Sequence, residues 1–202
     1  MLKFDTLSVF YGKKQVLFDI SASIERGKFT DIIGRNGSGK STLLSALTSQ
    51  TAYSGKILLD GRDISSIDRR ERAKMISFLP QNLPVTQFTV GETVAFGREP
   101  HISFKLTDAD LMLLDEPTTY MDAPNARDFL KILSEERDRG KSVVAVMHDL
   151  TSAAKYADDI LLIDGGKVLF KGTKEKCLEE KAIENVMEVE SHKLDDGRVV
   201  FI

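Results

Sequence analysis

The chain has 202 residues and a formal net charge of -3, which allows one sizeable core with a small appended subdomain and gives no electrostatic reason to expect a nucleic-acid partner. No apolar run approaches the roughly 20 residues that span a bilayer. Cys177 is the only cysteine, so an internal disulfide is excluded and we expect a reducing, cytoplasmic setting.

The first sixty residues have the pattern of β-strands. Apolar side chains alternate over residues 2–10 and again over residues 16–24, with a glycine-containing turn between the two runs. This pattern predicts two antiparallel strands with one solvated face. The apolar run 29–33 predicts the strand that leads into the next motif, and residues 55–59 predict a further strand.

A glycine-rich sequence separates the strand at 29–33 from a helix-compatible run at 43–47. Its residues 34–41 match G-x-x-x-x-G-K-[ST] in the strand–loop–helix setting that this triphosphate-binding motif requires. Glycines let backbone N–H groups turn toward a polyphosphate, and the following helix adds its positive dipole end. We expect Lys40 to contact the β- and γ-phosphates and the Ser41 hydroxyl to bind Mg²⁺. The full set of expected nucleotide-binding residues in this motif is Gly34, Asn36, Gly37, Ser38, Gly39, Lys40, Ser41 and Thr42.

Beyond this motif, buried strands alternate with helices. Strands are predicted at 76–79, 111–114 and 142–147, followed by a hairpin with a two-glycine turn at 160–170 and a terminal hairpin around residues 196–197. Helices are predicted at 68–74, 89–96, 125–139, 152–157 and 174–187. This alternation is typical of a parallel sheet covered on both faces, so we predict an α/β P-loop core with a separate antiparallel β layer.

Polar residues follow three of these strands. Asp115 and Glu116 come directly after the strand at 111–114, and ligands bind at the carboxyl ends of parallel strands. We expect Asp115 to hold Mg²⁺ together with Ser41, and Glu116 to orient or deprotonate an attacking water. His148 follows the strand at 142–147 and is predicted to donate to the γ-phosphate. Gln81 follows the strand at 76–79, where its amide could sense Mg²⁺ or the attacking water.

Together these motifs resemble the nucleotide-binding subunits of ABC transporters. The resemblance consists of a Walker A motif at 34–41, a Q-loop at Gln81, a Walker B motif at 111–115 followed by Glu116, a D-loop at Asp122 and an H-loop at His148. Segments 117–122 and 90–98, with Pro100-His101 and the helical tail from Lys174, are similar to the importers of iron–siderophore complexes, haem and cobalamin.

The resemblance implies a RecA-like fold that binds ATP and Mg²⁺ and hydrolyses ATP as a head-to-tail dimer. It places Tyr11 against the adenine ring and Asp122 near the nucleotide. It also implies that the segment 81–98 couples ATP closure to integral-membrane permease subunits, and that the chain serves a substrate-binding protein indirectly. Its expected location is the cytoplasmic face of the membrane, where it is held through the permease.

One departure from the family concerns a helical subdomain with the motif Leu-Ser-Gly-Gly-Gln, which in the family lies between the Q-loop and Walker B. Fewer than fifteen residues lie between Phe96 and Leu111, and the motif occurs nowhere in the chain. Without it, a head-to-tail dimer cannot complete its catalytic site. Our hypothesis is that several tens of residues are missing between Phe104 and Asp110, and the alternative is a genuine deletion. Normal Cα spacing of about 3.8 Å across each of those bonds would contradict the hypothesis.

A second departure is Asp31, a carboxylate inside the strand at 29–33 where the family prefers small or apolar residues. An unpaired buried carboxylate would cost several kcal/mol or stay protonated. We therefore expect Asp31 to face a polar partner or to lie at the margin of the sheet.

The resulting prediction is a single ABC nucleotide-binding domain. Residues 1–26 and 55–60 form its antiparallel part, 27–54 and 76–172 its P-loop core with the helical subdomain missing near 104–110, and 173–202 its terminal helix and hairpin. Two alternatives remain open. One is a soluble ABC-type ATPase without a permease, and the other is a non-hydrolysing ATP binder, if the missing motif is truly deleted.

Overall fold

The computed structural model describes residues 1–81 and 109–202. The strands in these ranges are β1 Leu2–Tyr11, β2 Lys14–Ile24, β3 Phe29–Ile33, β4 Tyr53–Leu59, β5 Arg62–Asp63, β6 Ile76–Leu79, β7 Leu111–Asp115, β8 Ser142–Val146, β9 Asp159–Asp164, β10 Lys167–Thr173, β11 Ser191–Lys193 and β12 Val199–Phe201. The α-helices are α1 Lys40–Leu47, α2 Arg69–Met75, α3 Ala123–Asp138, α4 Leu150–Tyr156, α5 Lys174–Glu179 and α6 Ala182–Met187, and a 3₁₀ turn spans Ile64–Ser66.

The main sheet has the strand order β10-β9-β3-β8-β7-β6. Strands β9, β3, β8, β7 and β6 are parallel, and β10 pairs antiparallel with β9 as the second strand of the predicted two-glycine hairpin. Every residue of β3, β7 and β8 is buried. Their near-continuous apolar sequences fit strands that are covered on both faces. The predicted parallel α/β core is confirmed.

A second sheet, of order β2-β1-β4-β5, is antiparallel throughout. This is the predicted β layer. One hydrophobic cluster joins its inner face to helix α1 and to one face of the main sheet through residues such as Leu7, Leu44 and Ile32. A second cluster, which includes Phe29 and Ile33, lies on the opposite face of the main sheet. Each fully buried Leu or Ile contributes about 1.5–3 kcal/mol of apolar transfer free energy, so α1 is held firmly between the two sheets.

The C-terminal segment differs from its prediction. The single helix expected at 174–187 is two short helices, because Lys181 has a left-handed backbone (φ 51°) that interrupts the helical hydrogen bonds between α5 and α6. The terminal hairpin is confirmed as β11 and β12, and it packs on α4, where the Phe201 amide donates to Thr151 Oγ1.

Three sequence-based predictions lie outside the described residues: the helix at 89–96, the chain spacing through Phe104 and, beyond Gln81, the coupling role of segment 81–98. Within residues 1–81 and 109–202, no helix combines the length and apolar character needed to cross a bilayer.

Candidate functional site

The glycine-rich loop connects the end of β3 at Ile33 to the start of α1 at Lys40. The N-cap of α1 is Gly39, which has φ 107° and no side chain to cap the helix, and the first turn contains no acidic residue. A Cβ on Gly39 would lie 2.5 Å from Leu17 Cδ2, and one on Gly34 would lie 1.9 Å from the Ile163 carbonyl oxygen. Glycine is therefore required at both ends of the loop. The loop leaves the amide groups of the first helical turn open to an anion.

A cleft of about 450 Å³ opens over this loop. It brings together residues from the antiparallel layer, the loop, and the ends of three parallel strands. Its lining residues are Tyr11, Val16, Asn36, Gly37, Gly39, Lys40, Ser41, Thr42, Gln81, Glu116 and His148. All of these except Val16 were predicted site residues. Val16 was assigned only to the alternating pattern of a strand, although its place beside the Tyr11 turn offered a signal.

Lys40 lies at the floor of the cleft with 6% of its surface exposed. Its Nζ donates to the carbonyl oxygens of Gly34 (2.7 Å) and Arg35 (3.0 Å). Burial lowers the pKa of Lys40, while the carboxylates of Glu116 and Asp115 act in the opposite direction. A polyphosphate would offer this ammonium group a charged partner in place of two neutral carbonyls.

Ser41 and Asp115 form an oxygen-rich pair beside Lys40. The Ser41 hydroxyl donates to Asp115 Oδ1 at 3.2 Å. Burial raises the pKa of Asp115, and the hydrogen bond from Ser41 opposes that rise. A hydroxyl and a carboxylate are ligands that Mg²⁺ accepts. No group of three or more His, Cys, Asp or Glu side chains suited to a metal occurs in the described residues, so a cation here would depend on phosphate oxygens for further ligands.

Glu116 lies between residues that follow three adjacent strands. Gln81 Nε2, after β6, donates to Glu116 Oε2 at 2.5 Å. His148 Nε2, after β8, lies 2.6 Å from Glu116 Oε1. Thr119 Oγ1 also donates to Oε2, at 3.3 Å. Glu116 has a left-handed backbone (φ 51°), an unfavourable conformation for glutamate that is typical of functional sites.

Asp31 is completely buried on the central strand β3. Of the two settings expected for Asp31, a polar partner or the margin of the sheet, the structure shows the first, since β3 has β9 on one side and β8 on the other. The polar partner exists: the Met147 amide donates to Asp31 Oδ1 at 3.1 Å. Asp31 Oδ2 has no hydrogen-bond partner among the described residues.

The remaining predicted residues lie around the cleft rather than in it. Ser38 is 3% exposed, and its hydroxyl has no partner in the described part of the chain. Asp122 does not line the cleft. Its side chain accepts from the Asn125 amide at 2.9 Å as the N-cap of α3. Thr119 was noted as part of a family segment but not as a site residue; its position three residues after Glu116 was the available signal.

These residues fit a nucleoside triphosphate with Mg²⁺. The loop needs glycine where a Cβ would collide, the helix start lacks an internal cap, and the buried Ser38 hydroxyl is free to donate. Tyr11 stands at the rim, 52% exposed, as an aromatic ring available for stacking.

The sequence matches a model of the ABC transporter family over residues 17–104. The hemin import ATP-binding protein HmuV of Pseudomonas fluorescens is 30% identical, with 94% of this chain and 93% of that protein covered. The ferric enterobactin transport ATP-binding protein FepC of Escherichia coli is 31% identical, with 96% of this chain and 90% of that protein covered. Among solved structures, the ATP-binding cassette MJ0796, a post-hydrolysis dimer bound to ADP and Pi, has a TM-score of 0.70 at 20% identity and covers 86% of this chain and 99% of its own.

Proposed function

This chain belongs to the ATP-binding subunits of ABC transporters, and we propose that it powers an importer of a metal chelate, namely an iron–siderophore complex, haem or cobalamin. The family hydrolyses ATP. The substrate class is supported by the functions of similar proteins, which include hemin, petrobactin and ferric enterobactin import. The observation that carries the proposal is the convergence of the phosphate loop, Glu116 and His148 on one cleft beside Tyr11.

We propose the following division of roles within that cleft. The residues 34–42 hold the triphosphate through loop amides, the Lys40 ammonium and the Ser38 and Ser41 hydroxyls. Tyr11 stacks on the base. Glu116 orients the attacking water and accepts its proton. Gln81 fixes the Glu116 carboxylate and senses Mg²⁺ or the attacking water, and His148 donates toward the γ-phosphate. Mg²⁺, held by Ser41 with Asp115 and Gln81 at hand, would neutralise charge on the phosphates.

The partners follow from the same proposal. They are integral-membrane permease subunits, contacted through the segment 81–98, and a second copy of the chain in a head-to-tail dimer. A substrate-binding protein is served indirectly. The chain would lie at the cytoplasmic face of the membrane, attached through the permease. We propose that it forms one nucleotide-binding domain with Asp122 close to the nucleotide across the dimer interface, and with the division of parts predicted from the sequence.

An ATPase assay of the purified chain, with and without a candidate permease in lipid nanodiscs, tests this function. We expect Mg²⁺-dependent hydrolysis that rises when the permease and its loaded binding protein are present. Hydrolysis that no permease changes would favour an ATPase that acts without a permease. ATP binding with no turnover under either condition would favour a non-hydrolysing binder. Lys56→Ala changes an exposed residue on β4 away from the cleft, and it serves as the control for variants of the cleft residues in the same assay.

A further inference from the structure

Asp31 occupies an unusual place for a carboxylic acid. Its side chain shares the face of β3 that carries Phe29 and Ile33, both of which belong to the apolar cluster that also contains Ala145 and Met147. It is 0% exposed. Burying a polar group among apolar side chains costs free energy, so a carboxyl group at the centre of the sheet calls for a compensating role.

The side chain of Asp31 is hydrogen-bonded to the backbone immediately before His148. The peptide unit between Val146 and Met147 lies just beyond the last β3–β8 pair, Ile32 with Val146. Its N–H donates to Asp31 Oδ1 at 3.1 Å, and its carbonyl oxygen accepts from the Glu116 amide at 3.0 Å. One peptide plane is therefore held from both sides, by the Asp31 side chain and by the backbone of Glu116.

The next residue after this plane is His148, whose imidazole lies 2.6 Å from the Glu116 carboxylate. The plane holds the Cα atom of Met147, from which the backbone continues to His148. On the basis of the proposed ATPase function, we propose that Asp31 is a positioning residue for hydrolysis, which holds the Val146–Met147 peptide and so fixes His148 against Glu116.

The charge state of Asp31 suits this role. Burial raises the pKa of Asp31 well above its usual range; the Met147 amide and the Lys40 ammonium act against that rise, and Asp149 adds to it. A neutral carboxyl group still accepts from Met147 through Oδ1. Asparagine has nearly the same shape and the same acceptor, so it should replace Asp31 in this contact, whereas leucine matches the size but offers no acceptor.

Steady-state ATPase kinetics of Asp31→Asn and Asp31→Leu separate these cases. We expect the Asn variant to keep wild-type kcat within about twofold. The Leu variant should lose about 10- to 100-fold in kcat with little change in KM for ATP, because the phosphate loop is intact while the catalytic pair is misplaced. The matched control is Thr30→Val, since Thr30 is 1% exposed on the same strand and its hydroxyl has no partner in the described residues. It should behave as wild type.

Two further measurements distinguish positioning from general stability. Hydrogen exchange of the Met147 amide should be slow in the wild type and the Asn variant and fast in the Leu variant. In a His148→Ala background, Asp31→Leu should lower kcat by less than about threefold. The reason is that both changes act on the same contact between His148 and Glu116.

The proposal is overturned if the wild-type Met147 amide exchanges freely, or if Asp31→Leu keeps the wild-type kcat. If the Leu variant does not fold, Asp31→Ala takes its place. Free exchange of the wild-type Met147 amide would still overturn the proposal. Absence of hydrolysis by the wild-type chain would instead contradict the proposed function, and the exchange measurement would then test the contact alone.

Discussion

The side-chain amide of Gln81 donates to Oε2 of Glu116, which joins the residues that follow the neighbouring strands β6 and β7. Thr119 shares that oxygen, and His148 contacts the other one. A carboxylate offers about four lone-pair positions, so three donors leave room for one more. A water bound at that position would be held by an acceptor whose orientation is already fixed from three directions.

The first prediction concerns Glu116→Gln. The glutamine keeps the shape of the side chain but cannot accept a proton, so we expect ATP binding within about threefold of wild type and a loss of at least about 100-fold in hydrolysis. ATP should remain trapped, which filter binding followed by chromatography of the bound nucleotide would detect. Glu179→Gln, an exposed glutamate on α5, is the control. Unchanged turnover in the Glu116 variant would remove Glu116 from the role of base.

The second prediction is that Lys40→Ala abolishes productive ATP binding. Among the described residues, the Lys40 ammonium is the one buried cation that lines the cleft. Alanine leaves no positive charge there for a phosphate to pair with. We expect at least about a 100-fold rise in Kd for ATP, measured by calorimetry. The Tm of thermal unfolding should decrease only modestly, because the variant loses just the hydrogen bonds that Lys40 donates to two carbonyl groups. ATP affinity equal to that of Lys56→Ala would contradict the assignment.

How far the sequence could predict this site depends on the range of the interactions. The strand–loop–helix unit around Lys40 was predictable because a contiguous glycine motif and its apolar flanks determine it. The contact of Asp31 with Met147 was not, since it depends on the register of β3 against β8, two strands that are distant in the chain. The left-handed conformation of Glu116 carries no local signal either, because glutamate rarely adopts it.

The third prediction concerns Tyr11 at the rim of the cleft. Tyr11 is 52% exposed, so its ring is free to stack on a base. Tyr11→Ala should raise the Kd for ATP by about three- to tenfold, in line with the 0.5–1.5 kcal/mol of an aromatic pair. Tyr11→Phe should bind ATP as wild type does, because it keeps the ring. An inorganic triphosphate, which has no base, should bind all three proteins equally, and a loss of triphosphate binding in the Ala variant would argue against stacking.

The fourth prediction is a pH dependence of stability that comes from Asp31. Its pKa is raised above the ordinary 3.8 by burial in the folded chain. Above that ordinary pKa the unfolded chain releases the proton while the folded chain keeps it, so the unfolded state is favoured progressively as pH rises. The carboxyl therefore destabilises the wild type by up to about 1.4 kcal/mol per pH unit until the folded pKa is reached.

Asp31→Asn does not ionise, so this contribution is absent from it. Urea denaturation between pH 5 and pH 8 should show the Asn variant gaining stability relative to the wild type as pH rises, with the two converging as pH falls toward 4. Thr30→Val should run parallel to the wild type over the same range. If the Asn variant also runs parallel, Asp31 ionises as easily in the folded chain as in the unfolded one, and burial does not hold its carboxyl in the neutral form.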